Sequence, residues 1–198
     1  MERTTIQVGS YEVNCSVLVM DGRAWIIDPG SEPDRIEAAL AKANATPELI
    51  LLTHAHFDHI CAVAGLQARH PGLPVYIHPA DAQVIAHPLN QCPPEYPPSP
   101  MPQNLRDCRE LKGVSVIETP GHTPGGCCYH FPEASLLLSG DTLFAGSVGR
   151  TDFPGGNMKA LMASLQKLLA LPDSTTVVPG HGPLTTIGDE RRSNPVLQ

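Results

Sequence analysis

Between Thr53 and His59 the chain reads Thr53-His54-Ala55-His56-Phe57-Asp58-His59, three imidazoles and a carboxylate packed together directly after the apolar run Leu49-Ile50-Leu51-Leu52. Imidazole lone pairs and carboxylate oxygens are what zinc, iron or manganese take from protein. Without a cation, His54, His56 and His59 would repel one another as soon as two of them protonated. The spacing is not the i, i+4 pair of a helical His-Glu-x-x-His site. At the end of an extended strand, His54 and His56 share one side by the two-residue period, and a following turn can point Asp58 and His59 at a second position. Two adjacent metals are expected rather than one.

Three further segments supply what such a site still lacks. His122 lies in Pro120-Gly121-His122-Thr123, Asp141 in Ser139-Gly140-Asp141-Thr142, and His181 in Pro179-Gly180-His181-Gly182, each after an apolar or β-branched run. Each time a strand ends at a glycine followed by a potential ligand. Glycine permits a sharp turn and a close backbone approach to an ion, and strand ends hold ligands more firmly than loops. The candidate set is then five His and two Asp.

The ordered pattern of His-x-His-x-Asp-His, Gly-His, Gly-Asp and Gly-His resembles the metallo-β-lactamase superfamily, over residues 13–195. Within it, Gly140-Asp141-Thr142-Leu143-Phe144 and Gly149-Arg150-Thr151-Asp152-Phe153-Pro154 are similar to the single-domain members of the glyoxalase II group. The resemblance implies an α/β fold, an αββα sandwich of two mixed sheets with helices on the outer faces. It implies two divalent metal ions, zinc first, with iron or manganese as alternatives. His54, His56 and His122 would hold one ion and Asp58, His59 and His181 the other. Asp141 would bridge them, which makes Asp58 and Asp141 the catalytic carboxylates. A bridging carboxylate at 141 speaks against the antibiotic-hydrolysing lactamases, and His56 speaks against the oxygen-reducing flavodiiron relatives.

The activity implied is hydrolysis of an acyl-thioester such as S-lactoylglutathione by a metal-bridging hydroxide, with metals about 3.5 to 4 Å apart. The partner is therefore a small-molecule thioester. Arg150 is the candidate contact for a substrate carboxylate, because a planar guanidinium matches carboxylate geometry. Two departures from the two-domain enzymes bear on the thiol. The chain ends 17 residues after His181, without their glutathione-binding helical extension, and Arg150 and Asp152 stand where they carry Lys and Tyr. The rival enzyme is a persulfide dioxygenase with one iron on His54, His122 and Asp141. A non-catalytic metal-binding relative is a third class.

Charge and length narrow the field. Thirteen basic against twenty acidic residues give a net charge of −7 with no Lys/Arg block, so the electrostatic footprint for nucleic acid or an acidic membrane is missing. The N-terminal Met1-Glu2-Arg3-Thr4-Thr5-Ile6-Gln7 lacks a signal-peptide pattern, and the expectation is a cytoplasmic chain. Its six cysteines are read as reduced, buried small hydrophobes. The 198 residues fit one domain spanning 1–198, or two intimately packed halves. Oligomeric state is not legible.

The elements that must position these ligands follow from periodicity. Strands are expected at 4–8, 15–20 and 24–28 as an antiparallel meander, then a Pro-capped helix carrying Ile36, Ala39, Leu40 and Ala43. The strand at 49–52 and a helix over 60–70 bracket the His-rich run. Further strands are expected at 75–77, 114–118, 127–131, 136–139 and 175–178, with helices near 80–86 and 158–171. Met158, Leu161, Met162, Leu165, Leu168 and Leu169 make a helical core stripe. Trp25-Ile26-Ile27-Asp28 echoes Leu136-Leu137-Leu138-Ser139-Gly140-Asp141, a hint of duplication, and Asp28 is a candidate to orient a ligand imidazole. Seven prolines between 88 and 102 favour an extended crossover that can also shape the mouth of a site.

Overall fold

Residues 1–198 are described by a computed structural model, in which the chain divides into two units, Met1–Glu110 and Leu111–Gln198. The first is built on a six-stranded sheet in the simple order β1 to β6. β1 (Glu2–Val8), β2 (Val13–Met20) and β3 (Arg23–Ile27) form the antiparallel meander. β4 (Thr46–Leu51), β5 (Val75–Ile77) and β6 (Leu105–Asp107) then run parallel to β3.

A parallel pair needs a crossover, and α1 (Pro33–Lys42) supplies it between β3 and β4. Pro33 opens this helix where a missing N–H costs nothing, and Ile36 and Leu40, one turn apart, are its buried face. They join Val13, Val17, Ile26, Ile50, Leu52 and Leu66 in the core of this unit.

The helix expected over 60–70 is two elements instead, α2 (Phe57–Ile60) and α3 (Val63–Arg69). The Ala62 amide donates to the Pro29 carbonyl at 3.0 Å rather than continuing the helical ladder, which separates the two. α2 therefore starts earlier than the periodicity suggests and carries Asp58 and His59. α4 is a single turn, Pro79–Ala82. Within the Pro-rich stretch Cys92 and Tyr96 exchange backbone hydrogen bonds of 2.7 and 2.9 Å around the cis Pro93-Pro94 bond.

The second unit has a five-stranded sheet in the order β13-β12-β9-β8-β7. β7 (Ser115–Glu118), β8 (Cys127–Phe131) and β9 (Leu136–Gly140) are antiparallel neighbours. β10 (Leu143–Phe144) and β11 (Ser147–Val148) pair as a short hairpin. β12 (Thr176–Pro179) lies parallel to β9, and β13 (Thr185–Thr186) closes the edge. α5 (Met158–Leu169) is capped by Asn157, whose side chain accepts from the Ala160 amide at 3.0 Å, and buries Leu161, Leu165 and Leu168. α6 (Ile187–Ser193) adds Ile187 to the same core.

The class read from the sequence, α/β with two mixed sheets and helices, stands. The short strands β6, β10, β11 and β13 and the helix α6 lie outside the sequence expectations. The six cysteines form no disulfide, and no helix is long and apolar enough to cross a membrane.

Candidate metal centre

In the first unit the ligand run leaves the carboxyl end of β4 beside the end of β3. Ile27 and Leu51 are in register, and the Asp28 amide donates to the Leu51 carbonyl at 3.0 Å. Asp28 turns back with φ near 50°, a left-handed conformation that costs a non-glycine residue about 1 kcal/mol or more. Its carboxylate gains two hydrogen bonds there, from the Thr53 amide and the Thr53 hydroxyl, both at 2.7 Å. The strained turn thus fixes the residue immediately before the first ligand.

Ala55, between His54 and His56, is pinned from both sides. Its amide donates to the fully buried Asp81 at 3.0 Å, and its carbonyl accepts from Asn90 Nδ2 at 2.8 Å. His56 is the extended cap residue of α2, so Asp58 and His59 start a helical turn right after the extended pair. Donor atoms of His54 and His56, of His54 and His59, and of Asp58 and His59 fall within 4.8 Å of each other. A Cβ on Gly30 would sit 1.7 Å from the Asp58 carbonyl oxygen, so only glycine lets the turn carrying that carboxylate pack down.

The second unit gathers His122, Asp141 and His181 in the same manner. Pro179 and Gly140 are in register on the parallel strands β12 and β9, and the Gly180 amide donates to the Gly140 carbonyl at 2.8 Å. Asp141 and His181 therefore emerge side by side. Gly140, with φ near 48°, makes at this strand end the left-handed turn that Asp28 makes at the end of β3. His122 follows Gly121, whose φ of 144° and would-be Cβ contact of 2.4 Å with the Leu161 backbone let α5 press against this loop.

The Asp141 carboxylate stands between the other two ligands. Its Oδ2 lies 3.5 Å from His122 Nε2 and 3.6 Å from His181 Nε2. These separations are long for hydrogen bonds. They match the donor-to-donor edge of about 3.4 Å that follows from tetrahedral coordination at roughly 2.1 Å. Gly149 backs this carboxylate as Gly30 backs Asp58, since a Cβ there would meet the Asp141 carbonyl oxygen at 1.9 Å and His122 Cβ at 3.2 Å.

The hydrogen-bond network assigns protons to three of the imidazoles. The Thr53 hydroxyl donates to Asp28, so toward His54 Nδ1, at 3.1 Å, it can only accept. His122 Nδ1 is 2.7 Å from the Arg150 carbonyl, which has no proton to give. His59 Nδ1 lies 3.1 Å from Asp28 Oδ2, outside hydrogen-bond angles yet close enough for the carboxylate to favour a proton on that nitrogen. With Nδ1 of each ring engaged in this way, Nε2 is the nitrogen left to coordinate. Imidazole nitrogens combined with the carboxylates of buried Asp58 and partly buried Asp141 are a donor set suited to divalent transition metals.

Of the candidate residues, Arg150 is placed differently from the ligands. Its side chain is exposed, forms a two-pronged pair with Asp152 at 2.6 Å for each contact, and stacks 4.1 Å over the Phe153 ring. Its carbonyl, not its guanidinium, touches a ligand. Thr53, Asp81 and Asn90 are supporting residues that the sequence reading did not single out. Nothing in residue type or spacing marks any of the three as a partner of the candidate ligand loop.

Comparison with known proteins adds to this geometry. Residues 8–181 match the family described as the Metallo-beta-lactamase superfamily. The chain is 37% identical to the probable metallo-hydrolase YqgX of Bacillus subtilis, covering 100% of this chain and 98% of the relative. It is 34% identical to the hydroxyacylglutathione hydrolase GloC of Haemophilus influenzae, covering 97% and 96%. Among solved structures, TTHA1623 in a di-iron-bound form is 42% identical with a TM-score of 0.88, covering 98% of this chain and 100% of that one. The BLEG-1 B3 metallo-beta-lactamase is 38% identical with a TM-score of 0.89, covering 99% of each chain.

Proposed function

Because the chain belongs to the metallo-β-lactamase superfamily, we propose that its two ligand groups close on two divalent metal ions and that it is a metal-dependent thioester hydrolase of the glyoxalase II type. His54, His56 and His122 would hold one ion, Asp58, His59 and His181 the other, with Asp141 shared. The observation that carries the reading is Asp141 Oδ2, 3.5 and 3.6 Å from one imidazole of each set. The di-iron form of a 42% identical protein supports two metals and leaves iron as open as zinc.

Bound there, the metals supply an activated water and polarise an acyl carbonyl. The protein's own contribution is to hold the donors in advance. Asp28, Thr53 and the Arg150 carbonyl keep Nδ1 of three imidazoles protonated, and Gly30 and Gly149 let the two aspartate turns pack without strain. The net reaction forms one C–O bond, breaks the acyl C–S bond and delivers the proton to the departing thiol. Arg150, released from Asp152, would take a substrate carboxylate.

The hydroxyacylglutathione hydrolase GloC, 34% identical, supports a hydroxyacylglutathione substrate, while the 38% identity to the BLEG-1 B3 metallo-beta-lactamase makes β-lactam hydrolysis the competitor to exclude. The test assays metal-replete protein on S-lactoylglutathione, on a cephalosporin and on glutathione persulfide with oxygen uptake. The reading expects thioester turnover to dominate by about 100-fold in kcat/KM, a loss of similar size in Asp141→Asn, and no oxygen consumption. Faster β-lactam turnover would overturn the substrate class. Oxygen uptake that survives His181→Ala would replace hydrolysis with a single-iron dioxygenase.

A further inference from the structure

The Pro-rich segment brings an aromatic ring against the ligand run. Tyr96, 1% exposed, packs its ring 5.2 Å from Phe57 and 5.4 Å from Tyr11, and Tyr11 and Phe57 meet edge to face at 5.6 Å. Phe57 lies in the chain between the ligands His56 and Asp58, so this cluster adjoins the metal-binding loop by covalent necessity. Gly9 makes room for it, because a Cβ there would lie 2.0 Å from the Tyr96 hydroxyl. The Ser10 amide donating to Glu95 at 3.0 Å ties the β1–β2 turn to the same segment.

Tyr96 is the buried base of the cluster, and the two other rings reach the surface. Tyr11 is 46% exposed and Phe57 is half-buried. The Tyr11 hydroxyl meets Cys92 Sγ at 3.7 Å, and the exposed part of the two rings, next to the metal-binding loop in the chain, is a ready surface for an apolar group, since edge-to-face aromatic contacts add to simple area burial. The charges around it choose which part of a thioester fits. Glu12 lies in the β1–β2 turn, Glu32 accepts from the Gly9 amide at 2.9 Å, and Glu95 accepts from Ser10. Among the side chains, Arg35 answers them, paired with Glu32 at 2.7 Å. Such surroundings disfavour the glutathione carboxylates and tolerate an uncharged acyl substituent.

We propose that Tyr11 and Phe57, seated on Tyr96, form the subsite for the acyl group and select thioesters with an apolar or aromatic acyl substituent. The inference rests on the thioesterase reading above and adds specificity to it. Tyr11 and Phe57 act here as specificity residues through contact with the acyl group, leaving the ligands themselves untouched.

The test compares S-mandeloylglutathione with S-lactoylglutathione, which differ by phenyl against methyl. Wild type is expected to favour the mandeloyl thioester by about 5- to 10-fold in kcat/KM, through KM. Tyr11→Ala should erase that ratio and Tyr11→Phe should keep it. In parallel, calorimetric titration of the holoprotein with mandelate should show binding that Tyr11→Ala weakens by a similar factor. Turnover of both thioesters with no preference, or a preference untouched in Tyr11→Ala, overturns the subsite while the thioesterase stands. Mandelate binding lost in Tyr11→Ala, with neither thioester hydrolysed, overturns the thioesterase and leaves the subsite. Absence of mandelate binding to wild type overturns the subsite outright.

Discussion

Asp28 Oδ2 lies 3.1 Å from Nδ1 of His59, and the same oxygen accepts the Thr53 hydroxyl at 2.7 Å. One buried carboxylate at the end of β3 therefore orients His59 directly and His54 through Thr53. Asp28 accepts a left-handed backbone to do so, which ties the strain to the site and not to the strand.

Asp28→Asn should consequently weaken metal binding without dismantling the sheet. The amide can keep the shape but loses the charge that favours a proton on Nδ1 of His59. The expected loss in metal affinity is about 10- to 100-fold, read by competition with a chromophoric chelator. Affinity within about twofold of wild type would show that Asp28 only shapes the turn.

Gly149→Ala tests the packing behind the second carboxylate. The new methyl would start 1.9 Å from the Asp141 carbonyl oxygen, backbone that cannot swing aside as a side chain can. Overpacking of this kind costs about 1 to 3 kcal/mol, and here it falls on the turn that carries a ligand. Thermal unfolding of metal-free protein should show the stability loss, and metal titration should show fewer or weaker sites. A substitution silent in both measurements would mean that the loop yields freely.

Arg150 and Asp152 hold each other in an exposed two-pronged pair. Hydrogen bonding from Arg150, more than any other influence, holds the Asp152 carboxyl down to about 2. Its folded value being depressed, the charged pair exists above that pH and is lost only as pH falls through it, so neutral assays always meet Arg150 already engaged. If Arg150 holds a substrate carboxylate, Arg150→Ala should raise KM about tenfold or more with kcat little changed. Asp152→Asn, which releases the guanidinium, should lower KM. Opposite or absent effects would confine Arg150 to its backbone role at His122.

His130 on β8 offers a pH dependence away from the ligands. Burial pushes its imidazole below the ordinary value, because the charged form is poorly solvated there. The folded pKa is lower than the unfolded one, so its contribution to stability is complete above about 6.5 and is lost as pH falls toward the folded value. In metal-free protein, the thermal midpoint of His130→Phe should fall less than that of wild type between about pH 7 and pH 5. Parallel curves would remove His130 from the acid response.

The candidate ligand residues stood out in the sequence because their chemistry is rare in combination. Three imidazoles and a carboxylate in one short run, and three glycine-ligand pairs at strand ends, have few other uses. Their supports were not legible. Thr53, Asp81 and Asn90 are ordinary loop residues by type, and only the folded chain brings Asp81 and Asn90 to opposite sides of Ala55. The long strands and α1 and α5 showed clear periods. The two- and three-residue strands β6, β10, β11 and β13 are too short to show any alternation, and the split between α2 and α3 depends on one amide of Ala62 turning to Pro29. The role of the Pro-rich segment hung on Tyr96, whose partners Tyr11 and Phe57 are distant in sequence.

Metal stoichiometry tests the central claim most directly. Elemental analysis of protein purified with metal supplied should approach two transition-metal ions per chain, falling toward one in His181→Ala, because the ligand set of His54, His56, Asp58, His59, His122, Asp141 and His181 exceeds the three or four protein donors that one ion takes. A firm value of one ion per chain in wild type, unchanged in His181→Ala, would contradict the dinuclear centre and the hydrolase built on it.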